Sequence, residues 1–327
     1  MHNRKLALCI LILPILLSLP LTYGTPGGHS KVQPTDIRQL LMSLNYTKVL
    51  EHVEYLSNLG SRVTGYPGFF SAAEYIENYW KSLGFEVKLE EFNVTIPIVH
   101  KCEITVEVNG KKHLIRAYPL WPNHVNPCPY VSPTEGDVLV YCGSCKLEEM
   151  EGIDLKERFV LAEFPCRWYW KNALIFGAKG FIFLEGECTL SNTVQKILNI
   201  PLNVPRLYVK GEDAELLRNL TSRGPLKIWI NSSTSWEVVP VSNIICIIPG
   251  TGEYGNEVIA IGSYYDTWSV VPELAPGAYD SLGISLLLEM ARFFKSNPPK
   301  RTVWLVAFAG HYQGLWGGRE FIENHFS

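Results

Sequence analysis

The chain has 327 residues, of which 47% are hydrophobic, and its 32 acidic and 29 basic side chains leave a formal net charge of -3. This apolar content is enough for a sizeable core, and the length predicts two domains. Because there is no basic excess, nucleic acid is excluded as an expected partner.

The amino terminus has the pattern of a targeting segment. Arg4 and Lys5 precede an apolar run, Leu6 to Leu21, and small residues follow at the end of it. This pattern predicts a signal peptide over residues 1–24. The alternative is an uncleaved anchor that associates with a membrane, although the run contains two prolines and is short for a spanning helix. Both interpretations predict that the rest of the chain is extracytoplasmic, either secreted or membrane-anchored.

Two further features agree with export. The chain carries four N-glycosylation sequons, at Asn45, Asn93, Asn219 and Asn231. Seven cysteines follow the predicted leader, and this odd number leaves at least one thiol unpaired or paired between chains. Cys142 and Cys145 have the spacing of a zinc or redox motif. A local disulfide or ordinary turn thiols remain the alternatives.

Residues 25–98 are predicted to form helices followed by a strand. Apolar residues recur at helical spacing from Leu50 to Leu59 and again from Ala72 to Leu83. A turn-rich segment, residues 61–68, separates the two patterns. Val87 to Val94 then alternates as a strand.

Residues 99–237 have a different composition, with short β-rich runs divided by Pro, Gly and Asn. The runs that predict strands or a helix are Ile104–Val108, Val138–Tyr141, Phe159–Glu163, Trp170–Phe176 (helical) and Gly180–Leu184. We predict a β-rich insert whose strands, Val138 to Phe183, lie outside the sheet of the remaining chain. The adjacent aromatics Trp168 to Trp170 indicate either an exposed recognition patch or part of the insert's core.

Residues 238–327 alternate strands with helices. The predicted elements are the strands Asn243–Ile248, Val258–Ile261 and Thr302–Ala309 and the helices Ile284–Phe294 and Trp316–Asn324. Such alternation predicts an α/β fold with a mostly parallel sheet flanked by helices.

Polar and aromatic side chains follow the predicted strands at their carboxyl ends. Tyr264 and Asp266 follow one strand, His311 and Tyr312 follow another, and Asp280 comes after a Pro-Gly-Ala turn. Open α/β sheets build their sites where strand ends converge.

These three segments closely resemble the zinc aminopeptidase and glutamate-carboxypeptidase-like metallopeptidases, peptidase family 28. The resemblance implies that Asp280 matches the aspartate that bridges two zinc ions and that Asp266 matches the residue that orients a histidine ligand. Tyr264 stands where that histidine is expected. His311 and Tyr312 stand at the general-base glutamate and at a ligand glutamate.

Tyrosine at two expected zinc-ligand positions is a severe chemical change, because a phenol with a pKa of about 10 is a poor zinc ligand at neutral pH. We therefore predict a degenerate, non-catalytic member that needs no cofactor and binds a peptide or a membrane-protein partner. The alternative is an exopeptidase with a zinc site that is rewired or is completed downstream. The resemblance implies that the peptidase-like core is carboxy-terminally incomplete at Ser327.

The resemblance also extends to the earlier parts of the chain. Residues 152–183 resemble a protease-associated domain, a module often inserted in this family. The expected organisation is a leader (1–24), an amino-terminal part of the core (25–98), a protease-associated insert (99–237) and the rest of the core (238–327).

The site residues also have ordinary explanations. Asp266 and Asp280 are either vestigial metal-site carboxylates or caps of a neighbouring turn or helix. His311 is either a remodelled base or single metal ligand beside Asp280, or a polar residue at the rim. The tyrosines at Tyr264 and nearby positions are filler packing on the simplest interpretation.

Overall fold

The computed structural model describes residues 6–9, 42–123, 126–187, 189–198, 200–275 and 277–326. The chain divides into two compact units. The first comprises Met1–Val94, Val239–Thr267 and Pro276–Ser327, and the second comprises Thr95–Val238 and Trp268–Ala275. All five predicted site residues belong to the first unit.

The strands of the described residues are β1 (Leu6–Cys9), β2 (Glu86–Val108), β3 (Lys111–Arg116), β4 (Tyr118–Pro119), β5 (Tyr130–Val131), β6 (Asp137–Tyr141), β7 (Phe159–Glu163), β8 (Gly180–Leu184), β9 (Arg206–Val209), β10 (Leu226–Ile248), β11 (Val258–Tyr264) and β12 (Thr302–Phe308). The helices are α1 (Tyr46–Ser57), α2 (Pro67–Ser82), α3 (Trp170–Ile175), α4 (Leu190–Val194), α5 (Gly211–Thr221), α6 (Ala278–Ser296) and α7 (Trp316–Phe326).

Helix α2 shows how the sequence fixes an element of the first unit. Pro67 stands at the start of the helix, where its missing N–H costs no hydrogen bond. The helix buries Phe69, Ala72, Ile76 and Trp80 on one face. The last three belong to the predicted spacing, whereas the helix begins earlier than predicted, within the stretch expected to be a turn. These side chains join the main core of the unit.

The sheet of the first unit has β11 at its centre. β11 pairs in parallel with β1 on one side and with β12 on the other, and β12 pairs antiparallel with the end of β10. The predicted α/β class with a sheet flanked by helices is confirmed. The sheet is mixed, because β10 runs opposite to its neighbour.

Helix α6 begins earlier than predicted, at Ala278 rather than Ile284. The residue before it, Gly277, has φ of +74°. Glycine adopts this left-handed conformation without steric cost, so the chain can turn sharply into the helix. Asp280 therefore lies in the first helical turn and not in a preceding loop.

The second unit contains four parallel strands in the order β6, β7, β8 and β9. The first part of β10, at Leu226–Ile228, pairs antiparallel with β6. Because the last part of β10 pairs with β12, β10 links the strand pairing of both units. The prediction that Val138 to Phe183 lies outside the sheet of Val258 to Ile261 is therefore wrong in its hydrogen bonding.

The aromatic run of the second unit is split between its core and its surface. Trp170 is fully buried, whereas Trp168 and Tyr169 are each 40% exposed. Trp170 is therefore part of the core, whereas a recognition role for the two exposed rings stays a prediction. The assignment of residues 99–237 to a protease-associated domain stays a prediction.

Most of the predicted leader lies outside the described residues. Within it, Leu6–Cys9 forms β1 and pairs in register with Val258–Ile261. Among the helices of the described ranges, none is long and apolar enough to cross a membrane. The signal peptide and the anchor both stay predictions.

Candidate functional site

Two neighbouring parallel strands of the first unit end side by side at the candidate site. Tyr264, the last residue of β11, lies opposite Phe308, the last residue of β12. The chain continues from β11 to Asp266 and from β12 to His311 and Tyr312. Because parallel strands present their carboxyl ends at one edge, side chains from two separate motifs meet there.

Asp280 joins these side chains from the first turn of α6. The Tyr312 hydroxyl donates a hydrogen bond of 2.8 Å to Oδ1 of Asp280. The Tyr264 hydroxyl donates to the same oxygen over 3.3 Å. A carboxylate is also favoured in the first turn of a helix by the helix dipole. The two tyrosines that replace expected zinc ligands thus hold the carboxylate that would bridge the metals.

The aromatic rings of the site pack against one another. Tyr264 stacks on His311 with ring centroids 4.0 Å apart, and Tyr312 meets both rings edge-on, 5.7 Å from Tyr264 and 5.0 Å from His311. No hydrogen bond joins His311 to Asp280 among the described residues. The His311 ring is therefore packed against both tyrosines, and its role as a base or single metal ligand stays a prediction.

The protonation of the cluster follows from burial. Burial raises the pKa of both tyrosines, and the nearby Asp280 carboxylate raises each further. Burial lowers the pKa of His311, although Asp280 opposes this shift. At neutral pH the phenols are therefore protonated donors and the imidazole is largely neutral.

Asp266 is the fully buried member of the cluster. Its Oδ2 accepts from the Thr64 hydroxyl at 2.9 Å and from the Tyr312 amide at 3.4 Å, while its Oδ1 has no partner among the described residues. Thr64 also lies 2.8 Å from Oε1 of Gln313, and its single proton can serve one of these oxygens at a time. Burial raises the pKa of Asp266 to about 7.

Arg62 is a buried structural residue that the sequence analysis did not single out. Its guanidinium donates to the carbonyls of Leu56 (2.7 Å), Gly277 (2.8 Å) and Tyr265 (3.2 Å). These bonds tie α1 to the segment after β11 and to the start of α6. An arginine within the turn-rich stretch 61–68 was the available signal, but its partners are distant in sequence.

The residues present do not fit a catalytic zinc ion. Such sites use three protein ligands drawn from imidazole, thiolate and carboxylate groups. No group of three or more His, Cys, Asp or Glu side chains in the described part of the chain is placed to hold a metal. In the cluster itself, one oxygen of Asp280 is taken by two phenols, Asp266 is enclosed and His311 is stacked on Tyr264.

The structure thus brings Tyr264, Asp266, Asp280, His311 and Tyr312 into one cluster, and their functional roles stay predictions. Comparison with known proteins relates the last part of this chain to a family and most of its length to individual relatives. Residues 243–327 match the family model described as Peptidase family M28. Aminopeptidase YwaD of Bacillus subtilis is 25% identical over 317 residues, covering 94% of this chain and 64% of the relative.

A second relative is the probable lipoprotein aminopeptidase LpqL of Mycobacterium tuberculosis, which is 26% identical over 82% of this chain and 52% of its own length. The chain thus spans less than two thirds of either relative. Among solved structures, the zinc aminopeptidase BSAP of Bacillus subtilis matches with a TM-score of 0.57 and 22% identity. That match covers 87% of this chain and 66% of the other, and it supports the fold. The resemblance found in the motifs is confirmed: residues 243–327 match the model of peptidase family M28, and the relatives that cover most of this chain are named aminopeptidases.

Proposed function

We propose that this chain is an extracytoplasmic, non-catalytic member of peptidase family M28 that binds a peptide or a protein partner at the Asp280 cluster. The observation that carries the proposal is the pair of phenols from Tyr264 and Tyr312 on one oxygen of Asp280. In the expected zinc site these two positions would supply ligands. Here the two positions carry uncharged phenols, and both phenols donate hydrogen bonds to the Asp280 carboxylate.

The surroundings of the cluster support a binding role. Tyr279, beside Asp280 in α6, is 82% exposed, and Leu282 in the same helix is 50% exposed. Tyr312 is 37% exposed although it is hydrogen bonded. Exposed aromatic and aliphatic side chains next to a carboxylate suit a peptide that brings both an apolar side chain and a positive charge.

A second candidate function is zinc-dependent aminopeptidase activity. The two relatives that cover most of this chain are named aminopeptidases, and the matching solved structure is named a zinc aminopeptidase. These names favour the exopeptidase over the binding module, whereas the donor chemistry of the cluster favours the binding module. Zinc is therefore the metal to test.

The two functions are separated by one assay on the full chain. Leucine p-nitroanilide hydrolysis is followed with added zinc and then with a chelator. The first proposal predicts no chelator-sensitive hydrolysis. A variant with Tyr264→His, His311→Glu and Tyr312→Glu serves as a comparison, and we expect a gain in metal content only if the remaining ligands are also supplied. Zinc-dependent turnover by the unmodified chain would establish the aminopeptidase instead.

Peptide binding is measured by titrating a leucyl dipeptide with a free amino terminus into the chain. We expect saturable binding without cleavage, and weaker binding by Asp280→Asn because the carboxylate charge is lost. The Nα-acetylated dipeptide is the matched control. Equal affinity for both dipeptides would contradict a role for Asp280 in binding a positive charge.

A further inference from the structure

Three cysteines of the second unit have their thiols in one apolar core. Cys142, Cys145 and Cys166 are each at most 1% exposed. All three belong to the same buried cluster, together with Trp170. The cluster is separate from the Asp280 site, and the proposed function gives these thiols no role.

Cys142 and Cys145 are the ends of a tight turn. The Cys145 amide donates to the Cys142 carbonyl at 2.7 Å, which closes the four-residue turn. Cys145 itself has φ of +58°. This left-handed conformation is uncommon for a residue with a side chain, and it persists only where the surroundings hold it. The turn therefore fixes where the Cys145 thiol lies.

Cys166 is the end of a second turn that is bonded to the first. The Cys166 amide donates to the Glu163 carbonyl at 3.1 Å, and the Glu163 amide donates to the Gly143 carbonyl at 2.8 Å. These two bonds place the turn after β7 directly beside the turn after β6. Both turns therefore carry a cysteine into the same buried core.

The electrostatics agree with this placement. Burial raises the pKa of the Cys145 thiol most, and the neighbouring Cys166 and Cys142 thiols raise it further, in that order. Both neighbouring thiols thus act on Cys145 within the same core. Burial also raises the pKa of Cys166, so neither thiol is a ready nucleophile once the unit is folded.

We propose that Cys145 and Cys166 form a disulfide that joins the turns after β6 and β7, with Cys142 left as a free thiol. Each thiol loses one hydrogen, and a small-molecule disulfide such as oxidised glutathione takes up the two electrons and two protons and leaves as two thiols. The bond forms while the unit folds, because the sulfurs are buried afterwards. It closes the loop that contains residues 146–165 and restricts the unfolded chain.

The bond is detected by peptide mapping of the full chain after refolding in a glutathione redox buffer or production in an oxidising compartment. Free thiols are alkylated under denaturing conditions without reductant, and the chain is cut with trypsin. Cleavage after Arg116, Lys146, Arg158 and Arg167 then yields the peptides 117–146 and 159–167. We expect these two peptides to be linked and to separate on reduction. A second cut after Glu135 removes Cys128 from the first peptide.

Variants identify the partner within peptide 117–146. Cys142→Ala is expected to keep the link, whereas Cys145→Ala and Cys166→Ala are each expected to abolish it. Cys246→Ala, a buried thiol of the first unit, is the matched control and should leave the link intact. Fully alkylated Cys145 and Cys166 in the unmodified chain, or a link that depends on Cys142, would overturn the proposal.

A stability measurement provides an independent readout. Reduction should lower the Tm of the second unit by about 5 to 10 °C in the unmodified chain and in Cys142→Ala. It should leave the Tm of Cys145→Ala and Cys166→Ala unchanged. An equal response to reductant in all four proteins would contradict the assignment.

Discussion

The hydroxyl of Tyr312 donates a 2.8 Å hydrogen bond to Oδ1 of Asp280, across the gap between the end of β12 and the start of α6. This contact joins two motifs that in the metallopeptidase resemblance would be joined by a metal ion. Tyr264 donates to the same oxygen from β11. The protein thus connects the three motifs through phenol hydrogen bonds.

Removal of the Tyr312 hydroxyl tests the strength of this connection. We expect Tyr312→Phe to lower the free energy of unfolding by about 0.5 to 1.5 kcal/mol, the usual net value of one hydrogen bond. Tyr279→Phe is the matched control, because Tyr279 is 82% exposed and its loss should have no measurable effect. Urea denaturation measures both. Equal stabilities for the two variants would show that the hydroxyl of Tyr312 contributes nothing.

Asp266 predicts a pH dependence of stability. Burial raises its pKa from an ordinary value of 3.8 to about 7 in the folded protein. The folded state therefore holds a proton that the unfolded state releases between about pH 4 and pH 7. The contribution of Asp266 to stability is largest below this window and is lost as the pH rises through it.

Asp266→Asn removes this titration. The variant should gain stability relative to the unmodified protein as the pH is raised from 4 to 8. The control is the exposed carboxylate Glu91, for which Glu91→Gln should leave the pH curve as it is. The measurement is the free energy of unfolding at several pH values. A variant that lost stability relative to the unmodified protein as the pH rose would contradict the raised pKa.

Arg62 is expected to be the most sensitive position near the site. Arg62→Met leaves three buried carbonyls without their donor, and we expect a loss of more than about 3 kcal/mol in unfolding free energy. Arg301→Met is the control, because Arg301 pairs at the surface with Glu257 over 2.6 Å and such pairs contribute at most about 1 kcal/mol. Chemical denaturation compares the two. Similar losses would mean that the guanidinium does not hold the three segments together.

Two glycine substitutions should have opposite effects. A Cβ on Gly277 would lie 2.8 Å from Nη1 of Arg62, and the residue has φ of +74°. We expect Gly277→Ala to destabilise the first unit by about 1 to 3 kcal/mol. Gly318 lies in α7 with open space around it, so Gly318→Ala should stabilise by about 0.5 to 1 kcal/mol. Thermal unfolding measures the change in stability for each variant. A change in the same direction for both variants would contradict this explanation.

The sequence predicted the regular elements around the site well. The strand Thr302–Ala309 is observed as Thr302–Phe308, and the helix Trp316–Asn324 is observed as Trp316–Phe326. Both have strong apolar patterns that depend only on local spacing. The same patterns, with the motif positions, were enough to place Tyr264, Asp280 and Tyr312 at one edge of a sheet.

The remaining features depend on contacts between distant residues. Arg62 bonds to Tyr265 and Gly277, more than two hundred residues away, and no local pattern indicates those partners. The two phenol bonds to Asp280 likewise depend on side-chain orientation. The early start of α6 was missed because a Pro-Gly pair usually marks a turn, whereas here Gly277 immediately precedes the helix.

We propose that the tyrosines at the expected ligand positions prevent this site from holding zinc as the family's catalysts do. The most direct test is the zinc content of the full chain after dialysis against buffered zinc, measured by elemental analysis. We expect far less than one zinc per chain and no chelator-sensitive aminopeptidase activity. One or more zinc ions per chain, with hydrolysis that a chelator abolishes, would contradict it.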